Sequence, residues 1–307
     1  MKNTIQEIID RSLSQARGAL HDGRVADYIP ELGKADPRLL GVCVATADGS
    51  VYEAGNAREL FTMQSISKTC SLILALQTAG YETVFGKVGM EPTGDRFDSI
   101  LQLETKDWRP FNPLINSGAI VIADCIHTAD PFQSFLTLVR RLCGNPTITM
   151  NDAVYLSESQ TSARNRSIAY LLKSTGVLDG RPEDVLDIYF RFCSVMVSAR
   201  DLAHYALVLA CGGQDPHTGK QIVEKEIVQT VLTLMLLCGM YDESGTYAVQ
   251  VGMPSKSGVG GGILAVGRNV GIGTFGPMLN QKGTSIGGLE ILRTLSKEMK
   301  LHLFSNL

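Results

Sequence analysis

Over residues 4–21 the apolar positions Ile5, Ile8, Ile9, Leu13, Ala16 and Leu20 recur mostly three or four apart, which predicts a helix with one buried face. The period then shortens. Residues 39–46 (LLGVCVAT) and 50–54 (SVYEA) are β-rich and meet at Asp48-Gly49, a dipeptide suited to the tight turn of a hairpin. A helix is expected from near Ser65 to near Gly80. From about 82 to 240 the pattern is mostly helix and loop, with helices over 117–128, 131–143, 162–174, 183–193, 198–211 and 224–238. The stretch 90–113, holding Pro92, Gly94, Pro110 and Pro113, reads as irregular. Beyond Gly239 strand-like segments return as TYAVQVGMP, ILAVGRN and VGIGTF, the last two joined near Arg268-Asn269. A final helix is expected over 285–303.

Two strands at the start, three at the end and helices between them predict an α+β fold. One antiparallel sheet is assembled from both chain ends, flanked by the terminal helices. The expectation is a single domain over 1–307, with an α/β subdomain from about 1–64 and 240–307 and a mainly helical subdomain over about 65–239. A ligand would sit where the two meet.

Composition narrows the function. The chain is 44% hydrophobic and 19% charged, ordinary for a globular protein, and its net charge is −3 with no dense Lys/Arg run. No nucleic-acid partner is expected, because such a partner needs a basic stripe to displace its counterions. Glu7 and Asp10 interrupt the N-terminal apolar pattern, so no signal peptide is expected, and the apolar runs elsewhere are too short to span a bilayer. No membrane partner follows, and the cytoplasm is the expected compartment. Seven cysteines without a C-x-x-C pair read as reduced core residues there. The five histidines form no metal pattern such as H-E-x-x-H, and G-x-S-x-G is absent.

Candidate chemistry begins at Ser65-Ile66-Ser67-Lys68. A serine hydroxyl needs a base within hydrogen-bond reach, and a lysine three residues on shares its face of a helix's first turn. The positive end of the helix dipole favours alkoxide at Ser65, and a desolvated Lys68 would turn neutral and accept the proton. An S-x-x-K by itself arises by chance, and a serine at a helix start is often only a cap. About 190 residues downstream, Lys256-Ser257-Gly258 supplies the K-[ST]-G that S-x-x-K hydrolases place on a strand across the site. Lys256 would support the proton relay. The Val259 N–H would join that of Ser65 as an oxyanion hole, with Gly258, Gly260, Gly261 and Gly262 leaving room for backbone to approach substrate.

Four segments then resemble one family: Gln64-Ser65-Ile66-Ser67-Lys68, Asn112 to Ala119 (NPLINSGA), Ser162-Ala163-Arg164-Asn165 and Lys256 to Gly262 (KSGVGGG). The chain is similar to the bacterial and mitochondrial-type glutaminases from Val25-Ala26-Asp27-Tyr28-Ile29-Pro30 to the C-terminal helix. The resemblance implies a fold akin to serine β-lactamases and DD-peptidases. It also implies hydrolysis of L-glutamine to glutamate and ammonia through a γ-glutamyl-Ser65 intermediate, without a metal or organic cofactor, and a homodimer or homotetramer. The substrate contacts it implies are Ser65, Asn116, Glu158, Asn165, Tyr189, Tyr241 and Val259. Glu158 suits the α-ammonium, and the Asn and Tyr groups suit the rest of the polar end. Arg164 is left out, since a helical neighbour of Asn165 should point elsewhere. Lys68 is assigned the first proton transfer. Tyr189 or Lys68 could protonate ammonia, and either could serve as base in deacylation. Two alternatives stand beside this reading: a penicillin-recognising hydrolase, against which the missing S-D-N segment counts, and a non-catalytic amino-acid sensor.

Overall fold

The computed structural model describes residues 4–100, 103 and 108–305. Its strands are β1 Gly41–Thr46, β2 Val51–Gly55, β3 Phe61–Thr62, β4 Met196–Val197, β5 Ser255–Ser257, β6 Gly262–Gly267 and β7 Val270–Phe275. Helices run α1 Ile5–Arg17, α2 Ser67–Lys87, α3 Asn116–Asp124, α4 Pro131–Leu142, α5 Asp152–Thr161, α6 Ala163–Ser174, α7 Pro182–Cys193, α8 Ala199–Ala210, α9 Lys225–Cys238, α10 Ser244–Gln250 and α11 Ile286–Glu298.

The β1–β2 hairpin closes where the sequence places it. Gly49 takes φ +89°, and Asp48 Oδ1 accepts from the Ser50 N–H at 3.0 Å and the Thr46 hydroxyl at 2.6 Å. The main sheet has the order β2-β1-β7-β6-β5 and is antiparallel throughout, so N- and C-terminal strands interleave with β7 beside β1. One face is covered by α1 and α11. Ile8 and Ile9 of α1 and Ile291, Leu292 and Leu295 of α11 pack against Val42, Val44, Ile263 and Ile272. Helix α1 is entered through a capping box, Thr4 and Glu7 each satisfying the other's backbone N–H.

The opposite face carries α8, whose backbone lies directly on the sheet. A Cβ at Gly271 would come within 2.1 Å of Ala203 O, and one at Gly273 within 2.0 Å of Ala199 O. The glycines that space VGIGTF are therefore the seat of a helix. The helical part has its own core, in which α2 runs among α3, α4, α7 and α9.

Two elements differ from the sequence pattern. TYAVQVGMP is not the first returning strand: residues 244–250 form α10, and the strand role falls to Ser255–Ser257. The alternation of Tyr247, Val249 and Val251 is misleading because Val249 is 80% exposed, while Ser244, Tyr247 and Val251 are buried at helical spacing. Helix α5, which carries Glu158, has no apolar stripe, only Val154 and Glu158 being buried, and the periodicity passes over it. Gly80, at φ +79° and ψ 168°, breaks the helical path where the sequence places the end of a helix, so that Ser67–Lys87 is two helical segments meeting at a kink. Of the irregular stretch 90–113, residues 101, 102 and 104–107 lie outside the described residues.

Candidate active site

Ser65 sits in a 3-10 turn, Gln64–Ile66, at the entrance of α2. Gln64 adopts φ +48°, a left-handed conformation that costs a non-glycine residue about 1 kcal/mol or more and sharply turns the chain out of β3. That turn aims the Ser65 hydroxyl into a cavity of about 330 Å³. Asn116, Glu158, Asn165 and Tyr189 line the same cavity, so five of the seven expected contacts converge there from the 64–66 turn, α3, α5, α6 and α7. Arg164 lines it as well, with its Nε donating to Asp98 O at 3.0 Å. The helical-neighbour argument fails for it because α6 begins at Ala163, and both first-turn residues border the cavity end-on.

Lys68 lies behind this wall, only 1% exposed. Its Nζ donates to Asn116 Oδ1 at 2.7 Å, and Asn116 Nδ2 donates to Asn165 Oδ1 at 3.0 Å. The Tyr189 hydroxyl approaches Asn116 Oδ1 at 3.5 Å. Burial pulls the Lys68 ammonium down to about 8, because removing a charge from water disfavours it; the carboxylates of Glu158 and Asp98 oppose the shift.

Glu158 is the polar group the cavity leaves incomplete. It is 4% exposed, and its Oε2 has no hydrogen-bond partner among the described residues. Burial pushes its carboxyl up to about 8, against a hydrogen bond from Gln64 and the pull of Lys68. A carboxylate held in this way suits a cation delivered by a ligand. The partner Gln64 was missed by the residue reading, although it directly precedes Ser65 in the motif.

Tyr241 and Val259 stand at the border. Tyr241, at φ +56°, donates its hydroxyl to Ser257 O at 3.3 Å, and the neighbouring Ser65 hydroxyl tempers the rise that burial gives its pKa. Its ring packs on Phe97, centroids 4.8 Å apart. Val259 lines an adjoining cavity of about 270 Å³ that shares Arg24, Asp27, Tyr28, Arg96 and Phe97 with the first. Among the described residues the Val259 N–H has no backbone acceptor, which leaves it open to a ligand oxygen.

The glycine run has a different use from the one expected of it. A Cβ at Gly258 would meet Met63 O at 2.5 Å, one at Gly260 would meet Thr62 O at 2.4 Å, and one at Gly262 the Phe61 ring at 2.4 Å. These glycines seat the K-S-G turn against the backbone leading into Ser65, and that close approach puts Val259 at the site. Lys256, fully buried, does not reach Ser65 by any hydrogen bond described; its Nζ donates to Gly239 O and Ser257 O at 3.0 and 2.8 Å.

All seven cysteines are unpaired and six are buried. Among the described residues no cluster of three or more His, Cys, Asp or Glu is placed to hold a metal ion, and no helix is long and apolar enough to cross a membrane.

A sequence model of the family described as Glutaminase matches residues 23–304. The chain is 45% identical to Glutaminase 2 of Clostridium perfringens, the match covering 99% of this chain and all of the relative. Among solved structures it is similar to the probable glutaminase ybaS, at 37% identity, with a TM-score of 0.91 over 97% of this chain and 98% of that one. It is also similar to the Bacillus subtilis glutaminase YbgJ in its covalent complex with 5-oxo-L-norleucine, formed by reaction with 6-diazo-5-oxo-L-norleucine. There the identity is 34% and the TM-score 0.90, over 98% of this chain and 100% of that one.

Proposed function

Because the chain belongs to the glutaminase family and is an amidohydrolase of β-lactamase-like fold, we propose that it hydrolyses the side-chain amide of L-glutamine through an ester on Ser65. The observation that carries the reading is the pairing, in one cavity, of the Ser65 hydroxyl with the unpartnered buried Glu158 Oε2. The first suits an amide carbon and the second an α-ammonium. The covalent adduct of YbgJ supports a nucleophile in the relative's site.

The chemistry is acyl transfer. Neutral Lys68 takes the Ser65 proton as the oxygen attacks the γ-carbonyl, and the N–H groups of Ser65 and Val259 hold the oxyanion. Tyr241 is the favoured acid, since its hydroxyl meets Ser65 while that of Tyr189 faces Asn116. Tyr241 gives its proton to the departing nitrogen as the C–N bond breaks. The resulting phenolate takes a proton from the water that attacks the ester, and Lys68 returns its proton to the Ser65 oxygen. Asn116, Asn165 and Tyr189 hold the polar end, and the cytoplasm is the proposed compartment.

The deciding assay is ammonia release from L-glutamine and L-asparagine by wild type and Ser65→Ala. Wild type should release ammonia from glutamine and far less from asparagine, and Ser65→Ala from neither. Full activity in the variant would remove Ser65 as nucleophile; an inert wild type that binds glutamine would make the protein a sensor.

A further inference from the structure

Lys256 is a buried lysine that the proton transfers leave without a task. It is 0% exposed and has no carboxylate partner among the described ion pairs. An ammonium has three N–H groups and needs three acceptors. Lys256 finds Gly239 O at 3.0 Å, Ser257 O at 2.8 Å and the face of the Tyr241 ring, whose centroid is 4.2 Å from Nζ. The third contact lies well within the range of a cation–π interaction. All three acceptors frame one residue: Gly239 precedes Tyr241 by two positions, and Ser257 O also accepts from the Tyr241 hydroxyl.

Tyr241 needs such a frame. Its φ of +56° is one that a tyrosine rarely adopts, and its hydroxyl must meet Ser65 while the ring rests on Phe97. We propose that Lys256 is a positioning residue for Tyr241, fixing its hydroxyl on Ser65 and placing a positive charge beneath the ring where phenolate charge develops as the proton passes to ammonia. This rests on the glutaminase reading above, and it replaces the relay role expected of K-S-G with action through a second side chain. Electron balance needs nothing else: Lys256 neither gains nor loses a proton in the cycle. Burial and the charge of Lys68 both pull the Lys256 ammonium down, and the Cys238 thiol of α9 opposes them. Those are the other titratable groups it feels, and hydrogen bonds from its N–H groups to the acceptors favour the charged form against that pull.

The experiment is a double-mutant cycle on steady-state ammonia release, with Lys256→Met, Tyr241→Phe and the double variant, and Ser65→Ala alongside. Lys256→Met should lower kcat about tenfold or more with the glutamine KM changed less than about threefold, because the glutamate half of the substrate is held elsewhere. The double variant should be no slower than Tyr241→Phe within about twofold, since a residue acting through Tyr241 has nothing left to act on. Lys256→Gln restores a donor to the two carbonyls without the charge, so it serves where Lys256→Met does not fold, and it should recover KM and thermal stability but not kcat. Wild-type kcat in Lys256→Gln, or a double variant as slow as the product of the two single effects, overturns the proposal. Activity retained in Ser65→Ala would overturn the nucleophile assignment alone, because the cycle still reads the coupling of Lys256 to Tyr241. A wild type inert toward glutamine overturns both.

Discussion

Two buried lysines flank the same serine turn, and their surroundings differ in a way that suits them to the opposite tasks proposed for them. Lys68, on α2, bonds a single side-chain amide, Asn116 Oδ1 at 2.7 Å, and shares its environment with the titrating Glu158. Lys256, on β5, is saturated by two carbonyls and an aromatic face. Burial pulls both down. A lysine with spare donors beside a cavity can take and return a proton, whereas one with every donor engaged serves as a fixed charge. The motifs place both in one proton relay; the count of acceptors around each separates them.

The comparison is broken most directly at Lys68. Lys68→Met should lower kcat by about 10³-fold, the usual size of a lost general base, where Lys256→Met costs about tenfold. Steady-state ammonia release on the two variants checks the ranking. Equal losses would mean that the lysines act as one relay and that the contrast in their acceptors has no kinetic consequence.

Next in size is the group that couples to Lys68 and not to Lys256. Glu158→Gln removes the charge intended for the α-ammonium, and its effect should fall on KM, lowering kcat/KM about 100-fold; hydrogen bonds to charged groups contribute roughly 1.5–3 kcal/mol. A loss confined to kcat would move Glu158 out of substrate recognition and into the chemistry.

How much of this is legible in the sequence depends on whether a pattern or a contact carries the information. The hairpin at Asp48-Gly49, the interleaved sheet and the Ser65–Lys68 turn follow from periodicity, turn chemistry and spacing, which are local. Helix α5 and Glu158 are not local signals: α5 buries almost nothing apolar, and Glu158 acquires its role from Gln64 and Lys68 in other elements. Helix α10 imitates a strand because β-branched and aromatic residues alternate there, and only the exposure of Val249 resolves it. The glycines of KSGVGGG and VGIGTF announce close approach, and the sequence is silent on what approaches. In one case it is the backbone before Ser65, in the other the backbone of α8.

That last difference predicts a stability effect with no catalytic signature. Gly273→Ala would push a Cβ to within 2.0 Å of Ala199 O, against helix backbone that cannot rotate away. Overpacking of this kind costs about 1–3 kcal/mol, so thermal unfolding should begin several degrees earlier while KM for glutamine is retained. An unchanged melting temperature would show that α8 rides on the sheet with slack.

The smallest effect bears on the proton inventory of the site. Burial raises Glu158 to about 8, so the carboxyl is mostly protonated at pH 7. An α-ammonium placed at its open Oε2 favours the charged form and lowers the pKa on binding. Binding should therefore release a proton. Release should approach one per glutamine well below pH 8, about half at pH 8, and almost none well above it. Affinity rises with pH in the same window, and kcat/KM rises further because Lys68, lowered to about 8, becomes neutral there as well. Calorimetry of glutamine binding to Ser65→Ala in buffers of different ionisation enthalpy measures the release. The Ser65→Ala/Glu158→Gln double variant isolates the share of Glu158, since only a titrating carboxyl can supply that proton. Equal release from both would assign the proton to Lys68, and the two lysines would then differ in binding as well as in catalysis.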